Sequence, residues 1–101
     1  DALHLLACDG DEVVGCVLFH PDGAGGGRLL QMAVAPAQEG KGLGRRLVQH
    51  LEAALRDRGI ERVVLHARAD AVGFYARLGY REVGAPYVEV GIAHQNMEKA
   101  L

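Results

Sequence analysis

Three glycines alternate with other residues between Ala35 and Leu47, in the run APAQEGKGLGRRL. Gly40, Gly42 and Gly44 give this stretch backbone freedom, and an apolar pattern at helical spacing follows directly. The first turn of a helix presents unpaired N–H groups and the positive end of the helix dipole. Residues 35–47, hereafter the glycine turn, are therefore predicted to bind an anion, and the geometry suits a phosphate or pyrophosphate.

Basic residues strengthen this prediction, but the spacing excludes two common nucleotide motifs. Lys41, Arg45 and Arg46 add positive charge beside the glycines. A P-loop needs Ser or Thr after its Gly-Lys pair, whereas Lys41 is followed by Gly42. A dinucleotide fingerprint needs G-x-G-x-x-G, whereas the pattern here is G-x-G-x-G with no acidic residue ending the next strand. Glycines that only shape a tight strand-to-helix turn remain the alternative.

The totals of the sequence indicate a single domain, residues 1–101, of ordinary globular composition. Half of the 101 residues are hydrophobic, and the net charge is -2. This balance predicts no nucleic-acid partner and no membrane partner, because the net charge gives no general attraction for polyanions. No apolar run approaches the ~20 residues of a membrane span, and the N-terminus resembles no signal peptide. A cytoplasmic protein is expected.

The first half of the chain predicts a β-hairpin with two free cysteines. Residues 3–8 and 13–20 are apolar runs around a DGDE turn. In the expected register Cys8 lies opposite Val13 and Cys16 lies opposite Leu5, so the sulfurs face opposite sides and form no disulfide. Two buried, inert thiols are expected. A zinc site that adds His4 and His20 is conceivable, but the spacing matches no compact ligand pattern, and no metal is predicted.

The rest of the chain alternates between strands and helices. After a loop at residues 21–27, residues 29–34 suit a strand covered on both faces. An amphipathic helix then ends near Gly59, and residues 61–66 form the next strand, which makes a right-handed βαβ unit. Asp70 is expected to cap a second helix that reaches Leu78 and is stopped by Gly79. Strand pieces at 80–83 and 88–90 flank Pro86, and residues 95–101 favour a final strand. The predicted fold is mixed α/β.

Three segments in order resemble the GNAT-type acetyl-CoA-dependent N-acetyltransferases. QMAVAPAQEGKGLGRRLVQHLE resembles the family's acetyl-CoA-binding segment, and ARADAVGFYARLGYRE resembles its second signature. EVGIAHQNMEKAL resembles the closing segment of a bacterial subgroup with the pattern G-I-P-H-x-x-M. Together they cover about half of the chain, and their coincidence is more specific than any one of them. The resemblance implies a GNAT-like fold with a central mixed sheet flanked by helices.

The resemblance also implies which residues bind acetyl-CoA as cosubstrate. The backbone at Met32, Ala33 and Val34 would pair with the pantetheine arm, and Phe74 would line the cofactor groove. N–H groups of the glycine turn would surround the pyrophosphate, from Glu39, Gly40, Lys41, Gly42, Leu43, Gly44 and Arg45. Arg45 or Arg46 could meet the ribose phosphate.

The implied catalytic residues are Tyr75 and His94. Tyr75 lies where the family often has a general acid, and a tyrosine is protonated at neutral pH. Tyr75 also lies at helical spacing (i, i+3, i+4 and i+7) with other apolar residues. This spacing suits it equally to a packed position in the core. His94 is favoured as general base because the resembling subgroup keeps a histidine there, with His66, Glu89 or water as alternatives. The acceptor would be a primary amine of a small molecule or peptide, attacking the thioester directly.

The chain departs from the family pattern at three places. Glu39 stands where Gln or Arg is usual, and its carboxylate is unfavourable beside a pyrophosphate unless it points to solvent. Ala93 replaces the proline of G-I-P-H, which loosens that loop. The sequence starts at the position of the family's second strand, so an N-terminally truncated chain, or else a homodimer that buries the hairpin face, is expected. A catalytically silent acyl-CoA-binding module is the alternative function.

Overall fold

The computed structural model describes residues 2–101 and arranges them as one six-stranded sheet with two α-helices. The elements are β1 (Leu3–Asp9), β2 (Glu12–Pro21), β3 (Gly26–Val34), α1 (Leu43–Asp57), β4 (Arg62–Arg68), α2 (Val72–Arg77), β5 (Arg81–Glu89) and β6 (Ile92–Ala100). The strand order is β1-β2-β3-β4-β6-β5. β3 and β4 run parallel, and the other neighbouring strands run antiparallel. The predicted mixed α/β fold is confirmed.

Both helices pack against the same face of the sheet. Alternate residues of β4 point to that face, because Val63, Leu65 and Ala67 are buried while the residues between them are not. They form one core with side chains of both helices, including Val48 and Tyr75. The opposite face is not covered by a helix in residues 2–101. The residues between the buried positions of each strand direct their side chains to that face. This helix-free face is where the dimer predicted from the sequence would form, and that dimer stays a prediction.

Each helix ends at the glycine expected to end it. Gly59 and Gly79 have φ of 75° and 95°, a left-handed conformation that glycine adopts at little cost. After α1 the N–H of Ile60 bonds the carbonyl of Leu55, and after α2 the N–H of Tyr80 bonds the carbonyl of Tyr75, in both cases at 3.0–3.1 Å. These are Schellman caps, which satisfy the last carbonyls of each helix.

The hairpin forms as predicted, but its register differs at Cys16. Cys8 lies opposite Val13 as expected, whereas Cys16 lies opposite Leu6 because a bulge between Ala7 and Cys8 shifts the pairing by one residue. Both cysteines are free thiols. The expectation of two buried thiols is wrong, because Cys8 is exposed and Cys16 is only half-buried.

Two further expectations about the second half are corrected. Asp70 does not cap a helix, because residues Ala69–Ala71 form a 3-10 turn and no side chain bonds the N-terminus of α2. Pro86 does not divide the following segment into two strands. It lies where β5 shifts register against β6, between Val83 and Tyr87, so the ladder needs no N–H from the proline.

A buried glutamate ties α1 to the end of α2 and to β6. Glu52 is only 4% exposed although it lies on an amphipathic helix. Its carboxylate accepts hydrogen bonds from the Tyr80 hydroxyl and the Lys99 ammonium, both at 2.8 Å, and Arg56 lies 3.7 Å away. Lys99 also donates to the carbonyl of Leu78 at 2.7 Å. Because each charge has a partner, the cluster fixes three elements in one arrangement.

Removing this carboxylate is expected to destabilise the fold strongly. Glu52→Ala leaves the Lys99 ammonium and the Tyr80 hydroxyl without their acceptor, and losing one partner of a buried ion pair costs about 3 kcal/mol. Urea unfolding followed by circular dichroism measures the loss. Gln49→Ala, on the exposed side of the same helix, is the control and should change the free energy of unfolding little. Equal stability of the two variants would contradict the role of the cluster.

Candidate acetyl-CoA cleft and acceptor site

The two parallel strands diverge and open a cleft between them. β3 pairs with β4 only from Gly26 to Arg28, opposite Arg62 to Val64, and beyond Arg28 its only paired neighbour is β2. Gln31 has φ of 43° at the point where the β2–β3 register shifts, so β3 also carries a bulge. The expectation that β3 is covered on both faces is therefore wrong, because its second half is a wall of the cleft.

Most of the residues predicted for the site line this one cleft, which has a volume of about 1090 Å³. Its walls come from β3, the glycine turn, β4, α2 and the β5–β6 hairpin. Lys41 is exposed and does not line it. The predicted residues that line it are Met32, Ala33, Val34, Glu39, Gly40, Gly42, Leu43, Gly44, Arg45, Phe74, Tyr75 and His94.

The glycine turn directs unpaired N–H groups towards the cleft. Gly42 is the N-cap of α1 with φ of 80°, and the first helical hydrogen bond is donated by Arg46 to Gly42 at 3.1 Å. The N–H groups of Glu39 and Lys41 bond carbonyls of the preceding turn. The backbone N–H groups of five neighbouring residues bond no protein acceptor within the described chain: Gly40, Gly42, Leu43, Gly44 and Arg45. This set has the geometry of an anion-binding helix N-terminus, and Glu39 is exposed beside it.

Three elements meet where the glycine turn enters α1. A Cβ placed on Gly44 would lie 3.3 Å from the end of Met32 and 3.3 Å from the ring of Phe74. The backbone of α1 thus approaches β3 and α2 more closely than most side chains would allow. Phe74 in turn packs edge-on against Tyr75, with ring centroids 5.0 Å apart. The apolar floor of the cleft is consequently continuous from β3 to α2.

Tyr75 combines a buried ring with a hydroxyl that reaches the cleft. The residue is 6% exposed, and its ring packs against Phe74 and Tyr80. Within residues 2–101 its hydroxyl has no hydrogen-bond partner, yet no buried side-chain oxygen is left unpaired, so the hydroxyl contacts solvent in the cleft. Burial raises the pKa of Tyr75 to about 12. The hydroxyl therefore keeps its proton and is available to donate it.

Because this pKa is raised on folding, Tyr75 should make the protein sensitive to alkali. The unfolded chain loses the tyrosine proton near pH 10, before the folded chain does, so stability present below pH 10 falls as pH rises towards 12. At pH 11 the loss from Tyr75 alone is about 1 kcal/mol. Denaturant unfolding at pH 8 and pH 11 should show a smaller fall for Tyr75→Phe than for the unsubstituted chain. An equal fall would contradict the raised pKa.

His94 presents one ring nitrogen to the cleft. Its Nδ1–H donates to the carbonyl of Ile92 at 2.8 Å, so Nε2 is the nitrogen left to accept a proton. The ring stacks on Tyr87, with centroids 5.7 Å apart, and the Tyr87 hydroxyl donates to Asn96 at 2.8 Å. These contacts fix the orientation of the imidazole without using its basic nitrogen.

The alternative bases lie in the same cleft, together with an arginine. His66 and Glu89 both line it. Arg28 donates to Nδ1 of His66 at 2.9 Å, and burial together with the Arg28 charge lowers the pKa of His66. His66 is therefore neutral near pH 7 with its proton on Nε2, which makes it a donor rather than a base. His94 and Glu89 remain the groups suited to accept a proton.

The sequence missed two features that shape this site. The pairing of Arg28 with His66 was not predicted, although both are polar positions on neighbouring parallel strands and that alternation was the available signal. The bulge at Gln31 had no signal, because no glycine marks the positive φ there.

Further structural observations bear on metals and membranes. In the part of the chain that the structure describes, three His, Cys, Asp or Glu side chains do not come close enough to hold a metal ion. Neither α1 nor α2 is long and apolar enough to cross a membrane.

Comparison with known proteins agrees with this architecture. The family model "Acetyltransferase (GNAT) domain" matches residues 1–101. A Bacillus subtilis protein named as an acetyltransferase is 32% identical over 99 residues, which are 98% of this chain and 67% of that protein. The structure of an acyl-CoA N-acyltransferase from Pseudomonas aeruginosa superposes with a TM-score of 0.86 at 28% identity, over 99% of this chain and 69% of that one.

A more distant structure adds support for the fold alone. The PaiA N-acetyltransferase from Thermoplasma acidophilum, solved in complex with coenzyme A, has a TM-score of 0.86 at 21% identity, over 100% of this chain and 62% of that one. The chain thus spans about two-thirds of the length of these proteins. These matches show that the chain is an acyltransferase domain. The chain belongs to the GNAT acetyltransferase family.

Proposed function

We propose that the chain transfers an acetyl group from acetyl-CoA to a primary amine of a small molecule or peptide. The observation that carries the proposal is the single cleft in which the unpaired N–H groups of the glycine turn, the open edge of β3 and the Tyr75 hydroxyl meet. The Thermoplasma relative of the same fold, solved with coenzyme A, supports the choice of cosubstrate. A catalytically silent acyl-CoA-binding module is less favoured, because a proton donor and proton acceptors line the same cleft.

Acetyl-CoA, when bound, supplies a thioester whose acyl carbon accepts an amine. The N–H groups of Gly40 and of residues 42–45 are placed to bind its pyrophosphate, and Arg45 adds a positive charge. The backbone at Met32, Ala33 and Val34 has no partner from β4, so it can pair with the pantetheine arm and orient the thioester. Tight packing of Met32 and Phe74 on Gly44 keeps this part of the cleft narrow.

Two side chains would move the protons of the reaction. The amine nitrogen attacks the acyl carbon, the C–N bond forms and the C–S bond breaks. Tyr75 donates its proton to the departing sulfur, and solvent then restores that proton. Nε2 of His94 accepts the proton that the amine loses, with Glu89 as the alternative acceptor on the same hairpin. The net products are an acetylated amine and CoA. Two free thiols in the chain suit a reducing compartment, so the cytoplasm is the compartment proposed.

A transfer assay tests the proposal directly. The chain is incubated with acetyl-CoA and a panel of amines, and mass spectrometry follows the acetylated amine while a thiol reagent follows CoA. Equal amounts of both products, dependent on the protein, are expected. Binding of acetyl-CoA without transfer to any amine would instead support the silent binding module.

A further inference from the structure

Arg28 lies at the point where the cleft between β3 and β4 opens. It is the last residue of β3 that pairs with β4, directly before the two strands diverge. Leu29, its neighbour, is buried in the core, so the side chain of Arg28 points to the helix-free face. There it lines the cleft together with His66 and His94.

The bonding of Arg28 differs from that of every other strand arginine in the described chain. Arg62 pairs with Asp22 at 3.3 Å, Arg68 with Asp70 at 3.9 Å, and Arg81 pairs with Glu98. Arg28 has no carboxylate partner in residues 2–101. Its one side-chain hydrogen bond there is donated to a neutral imidazole, at Nδ1 of His66, over 2.9 Å.

This contact holds the guanidinium in place and leaves most of its donors unused. A guanidinium carries five N–H donors in a planar fork that matches the two oxygens of a carboxylate. His66 accepts at Nδ1, so its own Nε2–H is a further donor beside the fork. A group of fixed donors and positive charge in a cleft recognises an anion.

The β5–β6 hairpin brings two further polar groups near this part of the cleft, because the charges of Glu89 and His94 both act on His66. Glu89 and His94, both on the β5–β6 hairpin, line the cleft and can attract an amine and take its proton. A molecule with an amine at one end and a carboxylate at the other would match both groups at once. Arg28 lies four positions before Met32 along β3, at most about 13 Å of strand, and the arginine side chain spans part of that distance.

We propose that Arg28 binds a carboxylate of the acceptor, so that the preferred acceptors are amino acids whose amine and carboxylate are separated by several bonds. This inference rests on the proposed acetyl transfer and names its substrate class. Arg28 is a specificity-determining residue in this account, and Tyr75 and His94 do the proton transfer.

A series of ω-amino acids with one to five methylene groups, each compared with its own amide, tests the proposal. A charge-assisted hydrogen-bonded pair should favour the acid over the amide at least tenfold in kcat/KM at the best chain length. Arg28→Gln should abolish this preference while leaving the affinity for acetyl-CoA unchanged. Arg62→Gln, which removes a strand arginine outside the cleft, is the matched control and should keep the preference.

Two outcomes would overturn the inference, and both differ from failure of the proposed function. Equal kcat/KM for acid and amide, or a preference that survives Arg28→Gln, would show that Arg28 does not select the acceptor although transfer occurs. If no amine is acetylated, the proposed function fails, and NMR titration with 6-aminohexanoate still decides on Arg28. A shift of the His66 ring proton with the acid, absent with its amide and in Arg28→Gln, would support carboxylate binding, and no shift would contradict it.

Discussion

Tyr75→Phe is expected to lower kcat for acetyl transfer by about 100-fold while leaving the affinity for acetyl-CoA and the free energy of unfolding nearly unchanged. The substitution removes only the hydroxyl, and that hydroxyl bonds no protein group in residues 2–101. The ring keeps its packing against Phe74 and Tyr80, so the fold loses little. Steady-state kinetics at saturating acetyl-CoA, combined with urea unfolding, measures both effects.

Tyr80→Phe is the matched control, because it also removes a hydroxyl from a neighbouring tyrosine ring. The Tyr80 hydroxyl differs from that of Tyr75 in being hydrogen-bonded to the protein. The Tyr80 hydroxyl donates to the buried carboxylate of Glu52 at 2.8 Å, and Tyr80 is not part of the cleft wall. Its loss should lower the free energy of unfolding by about 2 kcal/mol and leave kcat close to that of the unsubstituted chain. If Tyr75→Phe kept full kcat, or if Tyr80→Phe lost kcat as strongly, the assignment of Tyr75 as general acid would be wrong.

Gly42→Val is expected to weaken acetyl-CoA binding at least 100-fold. Gly42 has φ of 80°, and a β-branched residue there is strained by about 1–3 kcal/mol. The turn can relieve this strain only by rotating peptides, which turns the N–H groups of residues 42–44 away from the anion. Isothermal titration calorimetry with acetyl-CoA measures the change in Kd.

Gly10→Val separates this effect from general strain. Gly10 has φ of 62° at the tip of the β1–β2 hairpin, and a Cβ there would meet no atom within 4 Å, while a Cβ on Gly42 would meet only the Arg45 guanidinium at 3.9 Å. Both variants therefore place valine in left-handed backbone, but only Gly42 lies at the proposed pyrophosphate site. Gly10→Val should keep the Kd of the unsubstituted chain. A Kd for Gly42→Val equal to that of Gly10→Val would rule out the glycine turn as the cofactor site.

The elements with local signals were predictable from the sequence. The DGDE turn between two apolar runs predicted the hairpin, and the apolar spacing after the glycine turn predicted α1. Gly59 and Gly79 marked the helix ends because the left-handed conformation at those positions favours glycine. The three motifs that resemble the family predicted the cleft residues, and of those named for the cofactor and catalysis all except Lys41 and Arg46 line it.

What the sequence did not predict depends on long-range geometry. The divergence of β3 from β4 and the bulge at Gln31 arise from how strands twist and pair, and no residue type announces them. From the sequence, a glutamate such as Glu52 on an amphipathic helix is expected to face solvent. Its burial depends on hydrogen-bond partners that lie 28 and 47 residues away in the sequence. Asp70 shows the converse case, where a good capping residue lies in a 3-10 turn instead.

An NMR titration is the most direct test of the proposal that the cleft between β3 and β4 binds acetyl-CoA against the glycine turn. The 10.8 kDa chain suits an assignment of backbone amides, which are then followed as acetyl-CoA is added. The largest changes in amide chemical shift are expected at Gly40 and residues 42–45, with further changes at residues 32–34 and at Phe74. Shifts confined to other parts of the chain, or none at saturating acetyl-CoA, would contradict it.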